Sequence, residues 1–231
     1  MFNMRYICLI LCIIFLSTIS FSSDSCLVRL NNDKHLHHID YMYGDWIYYI
    51  VDEPPDSGIG YPPQDVEGKF ISVGEVLDPE DFGFQYGRAA ISRVSCWYQT
   101  CTGEVMVHIS NTDYWKVPYD IDSPNYNEYW SGGPYRPTED KWYDINLGSK
   151  VVITGAVIVH FQYKTSNKEY YLGFDEDTSG PWYAWAYHSD DGEWFNITEW
   201  NYKGDLFVRA FCETVSDIVP SSLGTIKATF K

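Results

Sequence analysis

The chain has 231 residues, with 32 acidic against 16 basic side chains, a formal charge of −16 and 18% aromatic residues. That charge argues against nucleic acid or anionic membrane surfaces as partners, and so high an aromatic content excludes a disordered chain. Calcium, basic proteins and neutral sugars remain compatible with it.

Residues 1–23 read as a secretory signal peptide. Arg5 precedes the apolar run 6–16, and Ser20, Ser22 and Ser23 place cleavage near Ser22 or Ser23. The run falls short of the roughly 20 apolar residues of a membrane span, and no later segment reaches that length. A secreted or cell-surface protein is expected, with charge −17 once Arg5 is removed. Loss of Cys8 and Cys12 leaves Cys26, Cys96, Cys101 and Cys212, which an oxidising compartment would pair. The favoured pairs are Cys96 with Cys101, across a hairpin-like turn, and Cys26 with Cys212, tying the N-terminal arm to the last core strand.

The mature chain opens with a polar arm, 24–40, in which His35 and His37 share a face if the arm is a strand, a spacing that suits a transition metal or simply a solvated arm. A first strand is predicted over 41–51, followed by the turn-rich stretch 52–63. Further strands are predicted at 69–76, 89–98 and 105–110, the last two paired as a hairpin. Residues 111–141 show little strand character. A loop that long is usually functional or disordered, and this one has Tyr114, Trp115, Tyr119, Tyr126, Tyr129, Trp130 and Tyr135 among Pro, Asn and Asp. Rings that stack and short polar groups that hydrogen-bond are the makings of a ligand-gripping loop; the same rings could instead pack the loop onto a sheet.

A strand at 142–147 leads into the core of the sequence, 151–212. Val157, Val159, Phe161 and Tyr163 alternate with Ile158, His160 and Gln162, so one face is wholly apolar or aromatic. Between 206 and 212 neither face is plainly polar, which predicts a strand covered on both sides or a central one. Strands bounded by Asn, Asp, Ser and Gly clusters over this length predict an all-β fold, an antiparallel β-sandwich. A second aromatic cluster, Trp182, Tyr183 and Trp185, joins the candidate ligand-binding residues. It follows Asp175, Asp177, Ser179 and Gly180, which match the start of an EF-hand-type calcium loop. The match stops at Pro181, so an ordinary acidic hairpin and a calcium site recruiting neighbouring carboxylates both fit.

No nucleophile elbow, P-loop or zinc-protease motif is present, and no enzyme activity is expected. Glu128, Glu193 and Glu199 are the candidate carboxylates of a glycosidase or lyase alternative. Asn196-Ile197-Thr198 is a sequon in a glycosylating host.

The order of elements resembles the jelly-roll modules found as accessory domains in secreted bacterial and archaeal proteins, often beside peptidases. The resemblance lies in DINL at 144–147, VVITGAVIVHF at 151–161, YYLGFD at 170–175, AYHS at 186–189, GEWF at 192–195 and GDLFVRAF at 204–211, with FGFQYGRAAISRVSCWY at 82–98 and GEVMVHIS at 103–110 upstream. It implies a jelly-roll-like sandwich over 24–213 with a non-catalytic binding or stabilising role, in which Asp175, Tyr187, Trp194 and Arg209 are structural. The tail, 214–231, looks like short C-terminal extensions with a Trp-Gly-x-Ile-Lys pattern, with Leu223 in place of Trp, and implies sorting, attachment or self-association. The expected function is recognition of a glycan or an extracellular protein by aromatic loops. A structural surface protein that self-associates through its tail is the alternative.

Overall fold

β-Branched and aromatic residues dominate the segments that become strands, and the chain builds thirteen of them among the described residues of this computed structural model, 44–50, 53–61, 70–164, 168–176 and 183–215. They are β1 (Asp45–Ile47), β2 (Ser57–Tyr61), β3 (Phe70–Leu77), β4 (Arg88–Cys101), β5 (Val105–Asn111), β6 (Glu128–Tyr135), β7 (Trp142–Thr154), β8 (Val157–Lys164), β9 (Tyr170–Asp175), β10 (Ala184–His188), β11 (Glu193–Asn196), β12 (Asp205–Leu206) and β13 (Val208–Thr214). One sheet runs β1-β13-β4-β9-β12, with β7 also on β4 and β2 on β9; the other runs β11-β10-β3-β8-β5-β6. All the named strand pairs are antiparallel. The chain is an all-β sandwich that passes repeatedly from one sheet to the other. Among the described residues no helix is long and apolar enough to cross a membrane.

The core lies between the sheets. Ile71, Val73 and Leu77 of β3, Val105, Val107 and Ile109 of β5, and Val157, Val159 and Phe161 of β8 face Ile91, Val94, Tyr98, Ile145, Phe174 and Val208 of the other sheet. Side chains of this size each contribute about 1.5–3 kcal/mol when fully buried. A bulge between Ile91 and Arg93 shifts β4 against both β7 and β13. The extra residue, Ser92, changes the phase of the strand, so that Ile91 and Val94 both reach the core. The strand expected to be covered on both sides or central is β13, which is central, flanked by β1 and β4, with Val208, Ala210 and Cys212 buried and Arg209 and Phe211 half-buried.

Several expectations are corrected. Cys96 and Cys101 are free thiols five residues apart on one strand, about 16 Å along an extended chain, against the 4.4–6.8 Å that a disulfide spans between Cα atoms. The turn expected between them does not form, because Thr100 and Cys101 continue the strand by pairing with Tyr171 and Tyr170 of β9. Burial pushes the Cys101 thiol up to about 11. Cys212 is also a free, buried thiol; its expected partner Cys26 lies outside the described residues, as do the signal peptide, the histidine arm and residues 216–231 of the tail. β4 and β5 are not a hairpin but belong to different sheets. The turn-rich stretch contains β2 and the long loop contains β6; β7 spans 142–154, but its pairing with β4 skips residues 147–150, where Gly148 has φ 75°. The described part of the strand expected at 41–51 is β1, three residues long.

Candidate functional site

The segment after β5 folds into a braced tip. Asp113 is its organiser: its Oδ1 accepts from Trp115 N and Val117 N, both at 2.8 Å, while its own N–H donates to Val117 O at 2.8 Å. This Asx-type turn places Lys116 in the left-handed region at φ 63°. Lys116 then reaches down instead of outward. Its Nζ lies 2.9 Å from Asp78 and 2.9 Å from Asp81, donates to Tyr183 Oη at 3.2 Å, and sits 4.9 Å from the Tyr183 ring centre. Burial works against its charge, but the hydrogen bonds to Asp81, Asp78 and Tyr183 outweigh that and hold its pKa above the ordinary lysine value. Asp78 caps the 3-10 turn Pro79–Phe82, and Tyr49 donates to Asp81 at 2.7 Å, so the seat of Lys116 is itself fixed.

With the loop pinned, Tyr114 and Trp115 have no core to enter. They are 90% and 79% exposed, with ring centres 5.3 Å apart at 81° to each other. Exposed aromatic pairs on a rigid mount are the pattern of a recognition surface. Removing the mount alone will show its role: Lys116→Met should lower stability by about 2 kcal/mol, chiefly by leaving Asp78 and Asp81 without their cation. In the same variant the tip amides should lose hydrogen-exchange protection, and unchanged protection would refute the pinning.

Beyond the tip the chain lies back across the outer face of the six-stranded sheet. Trp194 Nε1 donates to Tyr119 O at 3.1 Å and Trp194 N to Asp120 at 3.3 Å, while Ile121 packs on Val76, Ile158, Tyr187 and Trp194. This cover explains why Ile158 and His160, on the face away from the core, are buried. His160 is stacked on His108 at 4.8 Å and meets Trp194 edge-on at 5.1 Å, and neither ring nitrogen has a hydrogen-bond partner among the described residues. Gly74 is paired with His160; a Cβ there would stand 2.5 Å from His160 Cβ and 2.6 Å from Val159 O, so glycine is what lets β3 and β8 approach this closely. His108 is held by Glu128 at 2.6 Å and Gln162 at 3.0 Å, and Ser131 donates to Glu128 at 2.7 Å. Burial raises the Glu128 pKa, but the hydrogen bonds from His108 and Ser131 prevail and leave it lowered.

The predicted ligand-binding residues therefore divide. Trp115 is exposed on the tip, and Tyr183 lies beneath it as part of the Lys116 seat. Tyr119 and Tyr126 are half-buried along the covering loop, the Tyr126 hydroxyl donating to Glu128 at 3.3 Å. Tyr129, Trp130 and Tyr135 pack on the main core, and Trp185 on the outer cluster. Trp182 lies outside the described residues, as do Asp177 and Ser179 of the calcium pattern; Asp175 is buried at the end of β9, paired in register with Asp205. Sequence reasoning named Tyr114 among the rings of the loop but did not pair it with Trp115; the Asp-Tyr-Trp-Lys order, in which an Asx turn projects the two middle residues, was the available signal.

Glu128 and Glu193 stand on β6 and β11, the two edges of one six-stranded sheet, roughly 24 Å apart at the usual strand spacing. Glycosidase carboxyls lie about 5–9.5 Å apart, so these two do not form such a pair. Glu199 follows in the 3-10 turn Ile197–Trp200, whose cap is Asn196 of the sequon, accepting from Thr198 N at 3.0 Å. Tyr187 and Trp194 are buried in the outer cluster, in structural positions.

No protein-family model matches the chain, and no curated protein does. Among solved structures it is similar to the crystal structure of the cysteine protease and lectin-like domains of Cwp84, a surface layer associated protein of Clostridium difficile, with TM-score 0.48 and 10% identity. That match covers 63% of this chain and 32% of the other, so the chain spans about a third of that structure's length.

Proposed function

We propose that this chain is an exported, non-catalytic binding module that recognises a glycan through the Tyr114 and Trp115 tip. The observation that carries this reading is the pair of exposed rings held on a turn whose every anchor is intramolecular. A rigid ring loses little entropy on contact, so its apolar face is available to the C–H face of a sugar. The perpendicular arrangement of the rings suits a short saccharide or a chain end, which one ring stacks upon while the other meets its edge. A flat crystalline polysaccharide would need coplanar rings. The net charge supports a ligand that is not a polyanion.

Tryptophan fluorescence of the mature chain, titrated with soluble oligosaccharides with and without calcium, tests the reading. Trp115→Ala should weaken binding about tenfold or more, equivalent to 1.4 kcal/mol, while unfolding free energy stays within about 0.5 kcal/mol because the ring is exposed. Undiminished binding in Trp115→Ala removes the tip from the site. Absence of binding together with concentration-dependent self-association would favour the structural surface protein instead.

A further inference from the structure

The tip is not the only exposed apolar feature at its end of the sandwich. Seven large apolar side chains are exposed among the described residues, and all but Val152 lie outside the strands. Two of them, Trp200 and Tyr86, are placed by strand register on either side of the Lys116 seat. The seat itself is at the ends of β3 and β10: Asp78 follows β3, Tyr183 precedes β10, and Val76 N donates to Tyr183 O at 2.9 Å.

On one flank, Asn196 of β11 pairs with Trp185 of β10, so the 3-10 turn Ile197–Trp200 starts beside Ala184, next to Tyr183. Trp200 is 42% exposed, its ring stacked on Phe195 with centres 6.3 Å apart and planes 28° from parallel. On the other flank, Val157 of β8 pairs with Leu77 of β3, which sets Ala156 beside Asp78. Gly155 N then donates to Gly87 O at 3.0 Å, and Tyr86 immediately precedes Gly87. Tyr86 is 78% exposed and in the left-handed region at φ 58°. A bulky residue there stores strain that glycine would not, and such strain clusters at active sites and ligand clamps. Since β11, β10, β3 and β8 are successive strands, the segments carrying Trp200 and Tyr86 stand roughly 14 Å apart with the seat of the tip between them.

We propose that Trp200 and Tyr86 are flanking subsites of the tip, and that the site takes a neutral oligosaccharide of several units spanning all three ring surfaces. This rests on the glycan reading of the tip and selects the short saccharide over the chain end. Glu199 in one flanking turn and Glu80 beside the other are exposed carboxylates, which disfavour an acidic sugar. Once one unit is on the tip, contact of the next with a flanking ring is intramolecular, so affinity rises with chain length until the row is filled.

Calorimetry with the di- to hexasaccharides of cellulose, chitin and β-mannan tests this. In the series that binds, the hexasaccharide should bind the wild-type chain about tenfold tighter than the disaccharide. Trp200→Ala and Tyr86→Gly should each weaken the hexasaccharide about threefold and leave the disaccharide unchanged, and the double variant should bring the two to one level. Tyr86→Gly removes the ring but keeps a backbone that glycine adopts without strain, so its thermal melt should match or exceed that of wild type. Trp115→Ala should weaken both lengths by the same factor. Equal affinity for both lengths, or a hexasaccharide affinity unchanged in the double variant, overturns the flanking subsites while leaving the tip reading intact. Loss of the Trp115 effect with the length dependence retained overturns the tip reading alone. Failure of every series at every length overturns the glycan reading and the subsites with it.

Discussion

Replacing Glu75 by glutamine will abolish a fall in stability that the wild-type chain shows as pH rises. Glu75 is on the inner face of β3, 0% exposed, between Val159 of β8 and Ala184 of β10 in the ladder. Its Oε2 accepts from Leu206 N of the opposite sheet at 2.9 Å, and Asp205 stands within hydrogen-bonding reach. Desolvation foremost, then the charge of Asp205, hold the Glu75 pKa well above the ordinary value. Glu75 therefore keeps its proton at pH values where a free glutamate ionises. Between the unfolded value of about 4.3 and the raised folded value, the native state holds the extra proton. Stability therefore decreases with pH by about 1.4 kcal/mol per unit across that window and levels off above it. Glutamine keeps the bond from Leu206 N and has no proton to lose. Urea midpoints measured between pH 6.5 and 8.5 should slope downward more steeply in the wild type than in Glu75→Gln; parallel profiles would show that Glu75 ionises freely. Asp205 also accepts from Tyr183 N at 3.3 Å, and Tyr183 seats Lys116, so the Glu75 site is linked to the tip.

The second large effect has the opposite sign. His160 is 1% exposed, and burial, followed by the nearby His108, depresses its pKa well below the ordinary histidine value. Here the unfolded chain binds the extra proton. The contribution of neutral His160 is present above about pH 6.5 and is lost as pH falls toward the folded value, again at about 1.4 kcal/mol per unit. His160→Phe keeps a flat ring on His108 and removes two buried nitrogens without partners among the described residues, a replacement that is neutral or stabilising when shape is conserved. The expected result is an acid limb present in the wild type and absent in His160→Phe, with equal or higher stability at pH 7. A destabilised variant with an unchanged acid limb would show that the nitrogens are satisfied and that other groups titrate. The two windows overlap between about pH 4.3 and 6.5, where the slopes oppose each other, so together the two groups give a plateau of maximal stability on the acidic side of neutrality.

How much of this was legible beforehand follows from which interactions are local. The alternation in 157–163, the two-sided apolar character of 206–212 and the density of β-branched and aromatic residues are properties of neighbouring side chains on a pleated backbone, and they specified strands and a sandwich correctly. The Asx turn at Asp113 is local too, so the tip was within reach of the sequence even though only Trp115 of its ring pair was singled out. The aromatic loop announced rings but not their roles. Trp130 and Tyr135 converge over Gly132, where a Cβ would stand 2.6 Å from Trp130, and turn to the core because β6 pairs with β5.

Residues distant in sequence decided the rest. Whether β4 ended at Tyr98 in a turn or ran on to Cys101 depended on β9, some 70 residues later, and that pairing removed the expected disulfide. Whether His160 met solvent depended on residues 119–121 crossing the far side of its sheet, and whether Lys116 pointed outward depended on Asp78, Asp81 and Tyr183. Glu75 looked like one acid among 32 until Leu206 and Asp205 closed over it from the opposite sheet. Backbone periodicity depends on steric repulsion between adjacent residues, which any stretch of chain contains. Burial and pKa depend on what is excluded from a site, and that is settled only when distant strands pack.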